Sequence, residues 1–169
     1  CDWSSDVCSS DLVYSRTAAN GAKLAEKFNI PKQYATYAEL LNDPDIDVVY
    51  ITTLNHQHKE MVIEALDAGK NVLCEKPLAL NEHEVKAMVD LAKSKNLFLM
   101  EAMWSRQVPM YEEIKKIISS GTIGKVSKII TELSEAPIRA NKPRLWDING
   151  GGGALLDRSE EHTSELQSH

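Results

Sequence analysis

Three short runs, Val48-Val49-Tyr50-Ile51, Asn71-Val72-Leu73-Cys74 and Leu97-Phe98-Leu99-Met100, constrain this chain more than any other feature. A strand with one wet face alternates polar and apolar residues; a near-continuous apolar run predicts a strand covered on both faces. Between the runs the period changes. Met61, Val62, Ala65 and Leu66 form one helical face, and Val85, Met88, Val89 and Ala92 form another. Gly69 stands where a left-handed helix end is wanted, and Asn81 with Glu84 resembles a capping box. Strand and helix in this alternation predict an α/β fold with a doubly wound parallel sheet, helices packed on both faces by right-handed crossovers.

The pattern extends both ways. Val13-Tyr14-Ser15 predicts an earlier strand, Ala18 to Phe28 a helix after it, and Met110 to Ile118 a further amphipathic helix ending at Ser119-Ser120-Gly121. Beyond Gly121 to Gly124 the character shifts. Lys125 to Leu133 alternates loosely, as a half-exposed strand of an antiparallel sheet would, which predicts a domain boundary here and the start of an α+β domain.

The tails differ from the rest. Arg158 to His169, RSEEHTSELQSH, reads as the first-frame translation of a common sequencing-adapter DNA, and Asp2 to Leu12, DWSSDVCSSDL, as a frame of its reverse complement. Residues 1–12 and 158–169 are therefore expected to be non-native and are set apart from fold reasoning. They hold six of the 25 acidic residues and one of the 19 basic ones, so 19 acids face 18 bases in Val13 to Asp157, a net charge of −1. Near-neutrality gives no electrostatic case for a nucleic-acid or anionic-membrane partner. Cys74 is the one cysteine left, which offers no disulfide framework and suits a reducing, cytoplasmic setting. No apolar run approaches the roughly 20 residues that span a bilayer.

In an open parallel sheet, ligands bind beyond the carboxyl ends of the strands. The loops to inspect are Thr52 to His58, Glu75 to Leu78 and Glu101 to Arg106. In Cys74-Glu75-Lys76-Pro77 the proline drives Lys76 out of the helical region, so the strand ends in a kink that can aim an ammonium into a cleft. An exposed Lys-Pro turn is the plainer alternative. His56 and His58 are a weak metal signal: residues two apart do not share a helix face and no further ligand lies close in sequence, so no metal is expected. Cys74 reads as a small buried hydrophobe. Gly150 to Gly153 lacks GxGxxG spacing and reads as a place where backbone turns closely.

The run AGKNVLCEKPLALN, the upstream TTLNHQH, and then EAMWSR, GTIGKV and GGGALLD, in this order, resemble the Gfo/Idh/MocA oxidoreductase family across Val13 to Asp157. The likeness is strongest to its branch acting on aromatic trans-dihydrodiols and on D-xylose. The resemblance implies a Rossmann-type NAD(P)-binding domain over residues 13–123, incomplete because its first βα unit is lacking, and the start of a substrate domain over 124–157. It implies hydride transfer between a nicotinamide and a sugar or diol, with Lys76 as the catalytic residue at the substrate hydroxyl. Thr53, Leu54, Asn55 and His58 match the family's TPNxxH cofactor loop, Leu54 standing where proline is usual; Glu75 and Lys76 adjoin the cofactor. Trp104, Arg106 and Asp157 fall on the substrate side, although Trp104 also reads as an interface residue. The family's acid–base partner of the lysine lies four residues past that Asp, where this chain has Glu161, so the chain as written is expected to be inactive. The resemblance also implies a homo-oligomer, a cis Lys76-Pro77 peptide, and, as the alternative to an enzyme, a non-catalytic NADP-binding regulator. Ser15-Arg16, with no acid after Val13-Tyr14, points to NADP over NAD.

Overall fold

The computed structural model describes residues 12–130, 143–153 and 156. The elements run β1 (Leu12–Tyr14), α1 (Ala18–Phe28), β2 (Lys32–Tyr34), α2 (Tyr37–Leu41), β3 (Val48–Ile51), α3 (His58–Asp67), β4 (Asn71–Glu75), α4 (Glu82–Ser94), β5 (Leu99–Ala102) and α5 (Pro109–Ser119). All strand pairs among the described residues are parallel. In place of one sheet there are two, β1-β2 and β3-β4-β5.

Local chemistry sets the element ends. α1 stops where Asn29 turns left-handed (φ 53°), and Gly69 takes φ 78° after α3, a conformation that costs glycine little. Asn81 Oδ1 accepts the Glu84 N–H, capping α4; the Glu84 carboxylate accepts from Leu80 N rather than closing the box on Asn81. A complete capping box starts α2 at Thr36 and Glu39. Pro109 opens α5, where its missing N–H is not needed.

The last apolar run enters the sheet two residues later than expected: β5 spans Leu99–Ala102. Asn96 turns left-handed (φ 55°) to end the α4 connection, the Phe98 N–H goes to the Asn71 side chain, and Phe98 is 57% exposed.

The strand order advances in one direction from β3 to β4 to β5, and α3 and α4 pack together on one face of the sheet, as crossovers of the usual right hand require. That face is dry. Val49, Ile51, Val72 and Cys74 are buried against Val62, Ala65, Leu66, Met88 and Ala92. The expectation of cover on both faces fails for β3, because Val48 and Tyr50 on its other face are 56% and 42% exposed. The two sheets still share one core: Tyr14 stacks on Tyr37 at 5.7 Å, and the Tyr37 hydroxyl donates to the Met61 carbonyl.

The predicted strand over Lys125 to Leu133 is not formed over 125–130, which are irregular and exposed; 131–133 lie outside the described residues. A strand exists through its ladder, and no described segment pairs with this one.

Candidate active site

Strands β3, β4 and β5 are parallel neighbours, so their carboxyl ends share one edge of the three-stranded sheet. In open parallel sheets the ligand crevice lies beyond such ends. Ser15-Arg16 follows β1, the Asn55–Gln57 turn follows β3, and Lys76-Pro77 follows β4. The three loops expected from the sequence, Thr52 to His58, Glu75 to Leu78 and Glu101 to Arg106, follow β3, β4 and β5 on that edge.

The Lys76-Pro77 peptide is cis. The turn is fastened from two sides, by the first residue of α3 and by a residue of β5. His58 Nδ1 lies 2.8 Å from the Pro77 carbonyl oxygen, and Glu101 Oε1, from the end of β5, accepts the Leu78 N–H at 2.8 Å. Glu101 belongs to the EAMWSR run, yet its role was missed because sequence cannot show a carboxylate turning onto a backbone amide of the adjacent loop. The Tyr50 hydroxyl donates to Glu75 Oε1, and Lys76 N–H donates to Glu75 Oε2 at 3.3 Å. Tyr50 and Glu75 share the open face of the sheet, where burial and then the Glu75 carboxylate push the Tyr50 phenol above its ordinary range.

His58 does not sit where a direct cofactor ligand would. Its side chain has no exposed surface, and both ring nitrogens face carbonyls, Nε2 lying 3.2 Å from the Thr53 oxygen. A group with no surface cannot touch a ligand in the cleft. For the same reason it does not converge with exposed His56. Asn55 is half-buried and donates from Nδ2 to the Gly151 carbonyl at 2.9 Å, tying the turn at 147–153 to the crevice loop. Gly151 is buried at φ 78°; a Cβ there would overlap Leu80 Cδ2 and stand 3.0 Å from Asn55 Cβ. The glycine run therefore permits close backbone approach.

Trp104 and Arg106 lie on an exposed turn after β5, Trp104 at 66% exposure. Leu54 is 39% exposed and Ser15 half-buried, while Arg16 is exposed ahead of α1. Asp157 lies outside the described residues. Cys74 is fully buried, and desolvation, with Glu101 and Glu75 near, pushes its thiol up to about 12; an unreactive core residue results. Among the described residues no helix is long and apolar enough to cross a membrane.

Two loose ends lie at the crevice. Thr53 Oγ1 is buried without a hydrogen-bond partner, and Thr17 caps α1 with no side-chain bond, leaving that duty unfilled beside Arg16. A dinucleotide supplies acceptors for both kinds of group.

The chain belongs to the Gfo/Idh/MocA oxidoreductase family, whose NAD-binding Rossmann fold model matches residues 4–103. It is similar to the trans-1,2-dihydrobenzene-1,2-diol dehydrogenase of Xenopus laevis, 46% identical over 145 residues, and to that of Homo sapiens, 43% identical over the same length. Each alignment covers 86% of this chain and 43% of the relative, so the chain spans less than half the length of these curated relatives. Among solved structures, a levoglucosan dehydrogenase in complex with NADH and levoglucosan superposes with a TM-score of 0.78 at 31% identity, over 92% of this chain and 43% of that one. A 3-ketoreductase from Actinomadura kijaniata in complex with NADP and TDP-benzene gives 0.79 at 28% identity, over 87% of this chain and 45% of that one. The fold is thus that of nicotinamide-dependent dehydrogenases.

Proposed function

We propose that this chain is the nucleotide-binding part of an NADP-dependent dehydrogenase that oxidises a hydroxyl-bearing carbon of a pyranose sugar such as D-xylose or of an aromatic trans-dihydrodiol. The observation that carries this reading is the fastening of the Lys76-Pro77 turn by His58 and Glu101 at the carboxyl end of the middle strand. A lysine on so fixed a backbone presents its ammonium from a defined origin, despite a flexible stem.

The nicotinamide, when bound, supplies the hydride acceptor or donor. The protein handles position and proton. Lys76 beside the substrate hydroxyl stabilises developing negative charge on oxygen, and in its neutral form removes the proton. Thr53, Leu54, Asn55 and the Glu75-Lys76 backbone border the nicotinamide half. Ser15 and Arg16 meet the adenosine end, Arg16 pairing with a 2′-phosphate. Trp104, Arg106 and Asp157 line the substrate side.

The separation of β1-β2 from β3-β4-β5 supports a further part of the reading. The Rossmann order 3-2-1-4-5-6 with its first strand removed leaves two sheets ordered as these are. In the complete protein a strand, glycine-rich turn and helix fill that place and bring amides to the pyrophosphate. Without that unit, and with Glu161 where the lysine's proton-transfer partner is expected, the 169-residue chain alone should show no turnover.

The test is the complete protein assayed with NADP and with D-xylose or an aromatic trans-dihydrodiol, beside Lys76→Ala. We expect the variant to lose about 100-fold or more in kcat, the scale of a missing acid–base group. Equal activity removes the role given to Lys76, and a wild-type preference for NAD removes that of Arg16. NADP binding without turnover of either substrate class favours the regulatory alternative.

A further inference from the structure

We propose that His58 is the positioning residue of the Lys76 turn, holding the lysine's backbone in place without touching cofactor or substrate. The inference rests on the reading of Lys76 above and deepens it. Among the described residues, His58 is the polar side chain with no exposed surface at all. Burying an imidazole is costly unless its nitrogens are met. Here Nδ1 lies 2.8 Å from the Pro77 oxygen and Nε2 3.2 Å from the Thr53 oxygen, so the rigid ring fills the space between two strand-end loops. A neutral ring donates to only one of these carbonyls; with the proton on Nδ1 it donates to the nearer Pro77 oxygen, and Nε2 only packs against the Thr53 carbonyl.

The anchor at the other end of the side chain is firm. His58 is the first residue of α3, and Val62, Ala65 and Leu66 of that helix have no exposed surface. The carbonyl it holds belongs to Pro77, itself buried and bonded directly to Lys76. A path of stiff parts therefore runs from the packed helix through the imidazole and the Pro77 carbonyl to the Cα of Lys76. Displacing a reacting group by about 1 Å can cost about 100-fold in rate, so a loosened turn is felt in kcat before it is felt in binding.

The test uses the complete protein. His58→Leu keeps bulk and removes both nitrogens, whereas His58→Gln restores one amide donor. We expect His58→Leu to lower kcat about tenfold or more at saturating cofactor and substrate, with a smaller change in the Kd for NADP and partial recovery in His58→Gln. In a Lys76→Ala background, His58→Leu should cause no further loss of kcat, because residues that act as one unit are not additive. Wild-type kcat in His58→Leu, beside an inactive Lys76→Ala, overturns this inference and leaves the lysine reading intact. A further loss in the Lys76→Ala background as large as in wild type also overturns it, since the histidine then acts elsewhere. A fully active Lys76→Ala overturns the lysine reading and this inference with it. Should His58→Leu fail to fold, His58→Gln and His58→Asn carry the same measurements, and wild-type kcat in both is the overturning result.

Discussion

The two faces of the three-stranded sheet are built from the same apolar strings and meet opposite fates. On one face Val49, Ile51, Val72 and Cys74 lie under α3 and α4 and are all but removed from solvent. On the other, Val48 and Tyr50 are 56% and 42% exposed, and Leu73 is half-buried. Composition does not separate the faces, because both are rich in residues suited to a core. What separates them is topology: the two crossovers present travel in one direction, so their helices cover one face. A strand's apolar string reports how many layers a fold intends, not how many are in place.

The largest effect should come from breaking the covered face. Met88 is fully buried between α4 and that face. Met88→Ala removes its dispersion contacts and leaves a cavity, which costs about 2–5 kcal/mol. The midpoint of urea unfolding should fall accordingly, with little change in slope. A loss below about 0.5 kcal/mol would mean that this face is no better packed than the open one.

A smaller loss is expected at the crevice, where Gly151 joins the two sides of the site. Its φ of 78° is strained for any side chain, and the Asn55 hydrogen bond to its carbonyl depends on the backbone staying close. Gly151→Ala should cost about 1–3 kcal/mol of local strain. In the complete protein we expect this as a raised substrate KM with a modest change in kcat. An unchanged KM would detach the 147–153 turn from the site.

The covered face was legible in the sequence, since a helical period and a β period write themselves into residue order: of the two expected helix faces, Val62, Ala65, Leu66, Met88 and Ala92 are buried, and Met61, Val85 and Val89 are half-buried. The strand-end loops were legible too, because the strands that precede them were. Three features were missed. β2 is a three-residue strand, Lys32–Tyr34, with two exposed positions and too little pattern to detect. The Thr36-x-x-Glu39 signature of α2 was present and was missed. The work of His58 and Glu101 in fastening the Lys76 turn depends on loops about 20 residues away in sequence, and a single sequence carries no signal for such pairs.

An acid titration probes the two-stranded side, where polar contacts hold what apolar burial holds elsewhere. Asp43 accepts from Lys32 Nζ at 2.5 Å, from the Tyr34 hydroxyl, and from Asp45 N–H at 2.9 Å. The Lys32 bond foremost, then Tyr34, keeps its carboxyl well below the usual range. A carboxylate whose pKa is lower folded than unfolded stabilises fully above its unfolded value of about 3.9, and that contribution fades as pH falls toward the folded value. Stability should therefore decline below about pH 4, and Asp43→Asn should lower stability at neutral pH while flattening the acid slope. An unchanged slope would place the acid sensitivity elsewhere.

The smallest effect is the one that tests the comparison most directly. Val48 points to the open face and is 56% exposed, so Val48→Ser in this chain exchanges one partly wet side chain for another. The loss should stay within about 0.5 kcal/mol, the usual range for surface sites. In the complete protein, where the proposed strand and helix cover that face, the same substitution places a hydroxyl in a dry layer and gives up apolar burial. A cost of about 1–3 kcal/mol is then expected. Two melting curves for each form of the protein decide the matter: equal small losses in both would mean that the face stays open in the complete molecule, and that the two sheets are not halves of one.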